Sequence, residues 1–198
     1  MSGPLIERIH AAVAANPAAP AFIFQDGIVS YAQFLSLIHA TTALLHDRGI
    51  RPGDTVGLSM GRWPMHCVAF LALARLGALA LPLPRNLGPD AGRALAARFG
   101  VSTVVSNWKD APVPPGARLV LLDSMSLSGA VIEPGLGGYQ PDGSTPLRVA
   151  LTSGTTGERR GVVHTHASFM QRVELTALDA CFGTVPGRNA VVWEVRSY

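Results

Sequence analysis

Residues 51–84 read RPGDTVGLSMGRWPMHCVAFLALARLGALALPLP, and the order of elements in them decides the fold. Arg51-Pro52-Gly53-Asp54 is a turn, and Thr55 to Met60 a strand. Trp63-Pro64 opens a helix that runs to Gly77. Ala78 to Leu83 is a second strand, apolar without interruption. Such strands are covered on both faces, as in parallel sheets, and two parallel strands require a crossover of this kind.

Working outward from this unit, the pattern stays α/β. Upstream, Pro4 to Ala15 predicts a helix with Leu5, Ile6, Ile9 and Val13 on one face. Ala21 to Phe24 reads as a strand, Asp26-Gly27 as a hairpin turn and Ile28-Val29 as the return. Ser30 and Gln33 form a capping box for a helix that carries Phe34, Leu35, Ile38 and Leu45 and stops at Gly49. Downstream, Asp90 is positioned to cap a helix ending at Gly100, followed by strands Val101 to Val105 and Arg118 to Leu122. This order favours a doubly wound, largely parallel sheet with flanking helices. We expect an N-terminal α/β subdomain over 1–123, an irregular Ser/Gly/Pro-rich connection over 124–146 with a short strand near Val131-Ile132, and the truncated start of a second subdomain over 147–198.

Composition narrows the function classes. The 198 residues are 48% hydrophobic and 15% charged, enough for a sizeable core and against wholesale disorder. The mean hydropathy is positive, yet Arg75, Gly77, Pro82 and Pro84 interrupt the most apolar stretch, so no membrane span is expected. Cys67 and Cys181 give no disulfide framework, and a cytoplasmic setting is expected. The net charge of +3 comes from scattered arginines rather than a cluster, which argues against nucleic-acid binding. His164 and His166 lie two apart but have no third ligand in view, so no metal site is assigned. Trp63 and Trp108 read as packing residues and Cys67 as an inert thiol in an apolar helix, while Asp123 and Asp142 have no evident partner.

The chemistry is concentrated after the connection. Leu147 to Leu151 is a short apolar strand that runs into Thr152, Ser153, Gly154, Thr155, Thr156, Gly157, Glu158, Arg159, Arg160 and Gly161. Val162-Val163-His164 resumes a strand, and Thr165 to about Asp179 predicts a helix with Phe169, Met170, Val173, Ala177 and Leu178 on one side. Glycines let consecutive backbone N–H groups turn inward around an anion, and four hydroxyls add donors to the same centre. Arg159 and Arg160 bring positive charge to the end of the loop. This suits a polyphosphate, although the loop is neither a Walker A sequence nor the Rossmann Gly-x-Gly-x-x-Gly.

Thr152-Ser153-Gly154-Thr155-Thr156-Gly157, followed by Arg160-Gly161-Val162 and Thr165-His166, closely resembles the signature of the acyl-adenylate-forming, AMP-binding superfamily. That superfamily contains acyl-CoA synthetases, peptide-synthetase adenylation domains and luciferases. Its pattern is Thr-Ser-Gly-Thr-Thr-Gly-x-Pro-Lys-Gly-Val, continuing through Thr-His into a helix. The resemblance extends upstream through Ser30-Tyr31-x-x-Phe34, Gly53-Asp54-x-Val56, Ala69-Phe70-Leu71-Ala72, Leu76-Gly77-Ala78 and Pro82-Leu83, and covers about Leu5 to Phe169. Arg159 stands where the family has proline and Arg160 where it has lysine. Arginine keeps the charge but replaces a compact ammonium with a planar fork.

The resemblance implies a reaction in which a carboxylate attacks the α-phosphorus of ATP, and a thiol of CoA or a carrier protein then takes the acyl group. It implies ATP and Mg²⁺ as cofactors, with Thr152 to Gly157, Arg159 and Arg160 as the nucleotide-binding residues. It also implies groups that this chain does not supply: a Mg²⁺-binding Glu motif, a ribose-binding Asp, the acyl pocket and a C-terminal domain with the catalytic Lys. Gly183 to Arg188 reads as a turn and Val191 to Val195 as a strand, with Glu194 a solvated side chain. The expectation is therefore an N-terminal fragment of an AMP-forming carboxylic acid ligase, of the acyl-CoA synthetase type used in fatty acid metabolism. It is expected to be inactive alone, with a second polypeptide as the possible source of the missing half. The alternatives are a non-catalytic nucleotide-binding module and a decayed remnant that serves a partner. An apolar face near Val149 to Val163 is also expected.

Overall fold

A computed structural model describes residues 4–24, 27–61, 65–122, 140–152 and 160–180. The chain begins with helix α1 (Pro4–Ala15), the antiparallel hairpin β1 (Pro20–Phe24) and β2 (Gly27–Ser30), and helix α2 (Tyr31–Asp47). Strand β3 (Thr55–Ser59), helix α3 (Met65–Leu76) and strand β4 (Leu79–Pro82) form the expected crossover. Helix α4 (Pro89–Arg98), strands β5 (Thr103–Ser106), β6 (Arg118–Leu121), β7 (Pro146–Thr152) and β8 (Arg160–Thr165), and helix α5 (His166–Ala180) complete the described α-helices and strands, with one 3-10 turn at Arg85–Leu87 before α4.

The helix boundaries follow local chemistry. Ser30 Oγ accepts the Gln33 N–H at 3.2 Å and Gln33 Oε1 accepts the Ser30 N–H at 2.9 Å, closing the capping box. Gly49, at φ 81°, follows the Arg48 C-cap of α2 as the left-handed residue that ends the helix. The start of α4 differs from the sequence expectation. Gly88 is its N-cap and Pro89 sits in the first turn, where a missing N–H costs nothing. Asp90 therefore lies inside that turn, beside Arg93, rather than capping the helix.

Six strands form one sheet in the order β6-β5-β3-β4-β7-β8, parallel throughout except for the antiparallel β7–β8 pair. Successive side chains point to opposite faces, and the two faces build two cores. Val56, Leu58, Ala80, Val105 and Val120 pack with Leu45 of α2 and with Ala69, Ala72, Leu73 and Leu76 of α3. Leu79, Leu81, Val104, Leu119, Val149 and Leu151 pack on the opposite side with Leu95 and Ala96 of α4. The crossover helices thus lie on opposite faces, as a doubly wound sheet requires. A third cluster, with Ile6, Phe34, Ile38, Val68 and Leu71, holds α1, α2 and α3 together.

Strand β7 joins this sheet beside β4, with Ala80 opposite Arg148. The segments flanking the expected 124–146 connection therefore meet in one sheet. Residues 123–139, including the expected strand near Val131-Ile132, lie outside the described residues, as do Asp26, Trp63-Pro64 and residues 181–198. No described helix is long and apolar enough to cross a membrane.

Candidate phosphate-binding hairpin

The carboxyl ends of β3, β4, β5, β6 and β7 all lie along one edge of the sheet. From β3 the chain passes to α3 on one face, whereas from β4 it passes to α4 on the other. Such a reversal opens a crevice outside the strand ends, where open α/β sheets take their ligands. Strand β7 is the neighbour of β4 and runs further along this edge, to Thr152.

The ladder between β7 and β8 places Leu151 opposite Gly161 and Thr152 opposite Arg160. Thr152 Oγ1 donates to the Arg160 carbonyl at 3.2 Å and fixes the base of the connection. Both ends of the 153–159 segment are thus anchored at the carboxyl edge. Thr152 and Arg160 are exposed there, and their side chains share one sheet face. Ser153, Gly154, Thr155, Thr156, Gly157 and Arg159 lie outside the described residues.

Gly161 is required by packing. A Cβ at this position would sit 2.6 Å from Val149 Cγ1 and 2.7 Å from Phe99 Cε1 and Cζ. The backbone of β8 therefore lies directly on the Phe99 ring, which holds the returning arm of the hairpin against the α4 side.

The far end of the hairpin is tied down by a motif that the sequence reading missed. Thr165 Oγ1 accepts the Ser168 N–H at 3.3 Å, and Ser168 Oγ accepts the Thr165 N–H at 3.0 Å. This is a capping box with serine at its third helical position, legible in the sequence as Thr-x-x-Ser before an apolar helix. Asp142 does find partners. Its Oδ1 accepts the Ser144 and Thr145 N–H groups at 2.8 and 3.0 Å. Those hydrogen bonds, led by the Ser144 hydroxyl, hold its carboxyl below the usual carboxylate range. The same turn receives the start of α5, since His166 N donates to Thr145 O and Ala167 N to Gly143 O.

The two histidines do not share a strand face. His164 ends within β8, whereas His166 begins α5 and is 1% exposed. Burial presses the His166 imidazole below its ordinary pKa, against an opposing pull from Asp142 and then from the Ala74 backbone. Cys67 is half-buried, and burial pushes its thiol up. Trp108 packs on the α4 side of the sheet with the Arg85 guanidinium 4.9 Å from its ring centre, and Arg85 also meets Asp110 at 3.3 Å. Among the described residues, no three His, Cys, Asp or Glu side chains converge as a metal site.

Fold and hairpin together define a class: a doubly wound α/β unit whose β7–β8 hairpin leaves the sheet at its carboxyl edge, with Thr152 and Arg160 flanking a Gly/Ser/Thr-rich sequence. The sequence matches the AMP-binding enzyme family over residues 9–195, and the chain belongs to that family. It is 32% identical over 157 residues to the long-chain-fatty-acid–CoA ligase FadD13 of Mycobacterium tuberculosis (strain ATCC 25618 / H37Rv), a match covering 72% of this chain and 31% of that one. Phenyloxazoline synthase MbtB of Mycobacterium sp. (strain MCS) is 30% identical over 180 residues, covering 89% of this chain and 15% of the synthase. The inhibitor-bound N-terminal domain of FACL13 from Mycobacterium tuberculosis superposes with a TM-score of 0.69 at 28% identity, covering 80% of this chain and 43% of that domain. The chain thus spans less than a third of the length of the ligase FadD13.

Proposed function

We propose that this chain is the N-terminal part of an ATP-dependent, AMP-forming carboxylic acid ligase of the acyl-CoA synthetase type. In this reading, residues 152–161 gather around the β- and γ-phosphates of ATP. The observation that carries it is the ladder pairing Thr152 with Arg160, which sets the residues flanking 153–159 side by side at the carboxyl edge. Backbone N–H groups and hydroxyls held there oppose the charge that builds on pyrophosphate as a carboxylate attacks the α-phosphorus. Arg160 adds a planar cation at the mouth of the hairpin, suited to two phosphate oxygens at once.

The remaining parts of the reaction are assigned elsewhere. The acyl pocket, the ribose-binding Asp, the Mg²⁺ ligands and the catalytic Lys come from residues outside those described, on this or a second polypeptide. The acceptor is a thiol, of CoA or of a carrier protein, and the setting is the cytoplasm. Alone, the 198-residue chain binds ATP without turning it over.

Titration of the chain with ATP, followed by tryptophan fluorescence, tests this reading. Saturable binding in the millimolar range is expected, abolished by Gly157→Val and weakened at least several-fold by Arg160→Ala. No saturable change in the wild-type chain removes the nucleotide-binding reading and leaves the decayed remnant. Acid-dependent exchange of pyrophosphate into ATP by this chain alone overturns its assigned inactivity.

A further inference from the structure

Strand β8 ends the six-stranded sheet, and among the described residues no strand pairs with its outer side. Its backbone N–H and C=O groups turn alternately towards β7 and away from it, so half of them face outward. Open edges are normally guarded by charged side chains, proline or a bulge. In β8 the centre is Gly161-Val162-Val163, with Arg160 at one end. The two valines are 50% exposed and stand on opposite faces, so the strand is apolar on both sides at its centre. That is the pattern of a strand inside a sheet rather than at its margin.

The chain's own continuation does not supply a parallel neighbour there. Helix α5 follows β8 and lies on the α3 face, where Phe169 meets Phe70 of α3 at 5.6 Å between ring centres. Strand β8 runs opposite to β3. A parallel strand reached from β8 through α5, outside β8, would make a crossover opposite in hand to β3–α3–β4. Such connections are almost always right-handed. The strand expected over Val191 to Val195 is thereby set aside as a parallel partner of β8.

A second copy of the same edge fits. A two-fold axis normal to the sheet sets two β8 strands antiparallel and keeps each face continuous. With the axis at Val162, that residue meets its own copy on the α5 side, and Val163 stands opposite the partner's Gly161 on the α4 side. Gly161 has no side chain and is backed by Val149 and Phe99, so Val163 finds an apolar floor. An axis at Val163 would instead set Val162 against His164, and one at Gly161 would set it against Arg160. Helix α5 packs on both β7 and β8. With strands about 5 Å apart, the two copies of α5 lie roughly 10 Å apart, an ordinary helix-packing distance, and do not obstruct the pairing.

We propose that β8 is a dimerisation edge, pairing antiparallel with β8 of a second copy about a two-fold axis through Val162. Main-chain hydrogen bonds supply the affinity, and the alternating side chains set the register. The inference is independent of the nucleotide reading, because Val162 and Val163 lie outside residues 152–161.

Sedimentation velocity across micromolar protein concentrations tests it. The wild-type chain should pass from monomer to dimer as concentration rises. Val162→Lys and Val162→Glu each set like charges directly opposite one another at the axis, and each should weaken the dimer at least several-fold. Mixing the two variants should restore it, because an ammonium then meets a carboxylate across the axis. Position 162 is half-exposed, so both variants should keep a cooperative urea transition, which separates loss of pairing from loss of fold. A wild-type chain that stays monomeric overturns the proposal and leaves the edge to another segment or a different polypeptide. A dimer that persists in folded Val162→Lys, or a mixture of the two variants that stays monomeric, overturns it equally.

Discussion

The centre of the sheet and its β7–β8 edge are built from similar residues and end in different states. In β5 every residue is buried, and in β3 all but Thr55, because α2 and α3 cover one face and α4 the other. In β8, Arg160, Gly161, Val162 and Val163 are exposed, the two valines by 50% each. Strand β7 is intermediate: Leu147 and Val149 are fully buried, Val149 on the α4 side, while Thr152 is open. The expected apolar face from Val149 to Val163 does not form a single surface among the described residues: Val149 is buried, and the half-exposed Val162 and Val163 point to opposite faces of the edge strand. The core lies around the central strands, and the outer strand of the hairpin that carries the candidate chemistry faces solvent over most of its length. Local opening is easiest in such regions, which suits a segment that must accept and release a ligand.

The largest effect should come from the centre. Leu81 is fully buried on the α4 side, and Leu81→Ala should cost about 2–5 kcal/mol of unfolding free energy, read from urea denaturation. Val162→Ala, a comparable loss of apolar surface at the edge, should cost far less. Equal costs for the two would break the contrast between centre and edge. Next comes Gly161→Val, at an exposed edge position where a side chain would nonetheless project onto Val149 and Phe99. Forcing a side chain against Val149 and Phe99 should cost about 1–3 kcal/mol through overpacking. A neutral result would mean that the Phe99 ring yields freely and that the hairpin is looser than its packing implies.

Much of this contrast is legible in the sequence, and for identifiable reasons. The unbroken apolar run Ala78 to Leu83 and the Ser30/Gln33 pair are local patterns, and both give the elements they predict. Capping of α4 was misread because Asp is a strong cap residue, whereas the proline before it already sits inside the helix and leaves Gly88 outside. The loop motif could be recognised as a motif, and the strands on both sides of it are where the sequence places them. What the sequence does not contain is the pairing of β7 with β4, a contact across more than sixty positions. Without that pairing, nothing brings His66 and Phe70 of α3 towards Arg148 and Phe169. Non-local convergence of this kind has no periodicity to betray it.

Acid should sharpen the comparison at the junction between edge and core. Buried His166 and half-buried His66 both have folded pKa values below their ordinary 6.5. Between the folded and unfolded values the unfolded chain binds more protons, so stability falls as pH drops below about 6.5 and continues to fall until the folded values are passed. Each group contributes a slope of at most about 1.4 kcal/mol per pH unit. Asp142, whose carboxyl is depressed, loses its contribution only at lower pH, through the carboxylate range. Thermal unfolding measured from pH 7.5 to 5.5 should show a falling midpoint, with a shallower fall in His166→Gln. A midpoint that stays flat or rises over this range contradicts the burial of these rings.

The smallest expected effect on stability is also the most informative about the hairpin. Arg160 is exposed at the carboxyl edge, and its ladder bonds are made by the backbone, which Ala supplies equally well. Arg160→Ala should therefore change unfolding free energy by no more than about 0.5 kcal/mol, the usual range for a surface substitution. Its effect on ATP binding should nonetheless be several-fold, because in the proposed function the lost guanidinium acts on the ligand, and among the described residues no carboxylate pairs with it. A stability loss as large as that of Gly161→Val would make Arg160 a structural residue of the edge. The charge at the mouth of the hairpin would then serve the fold, and its fitness for phosphate would have to rest on the hydroxyls and backbone alone.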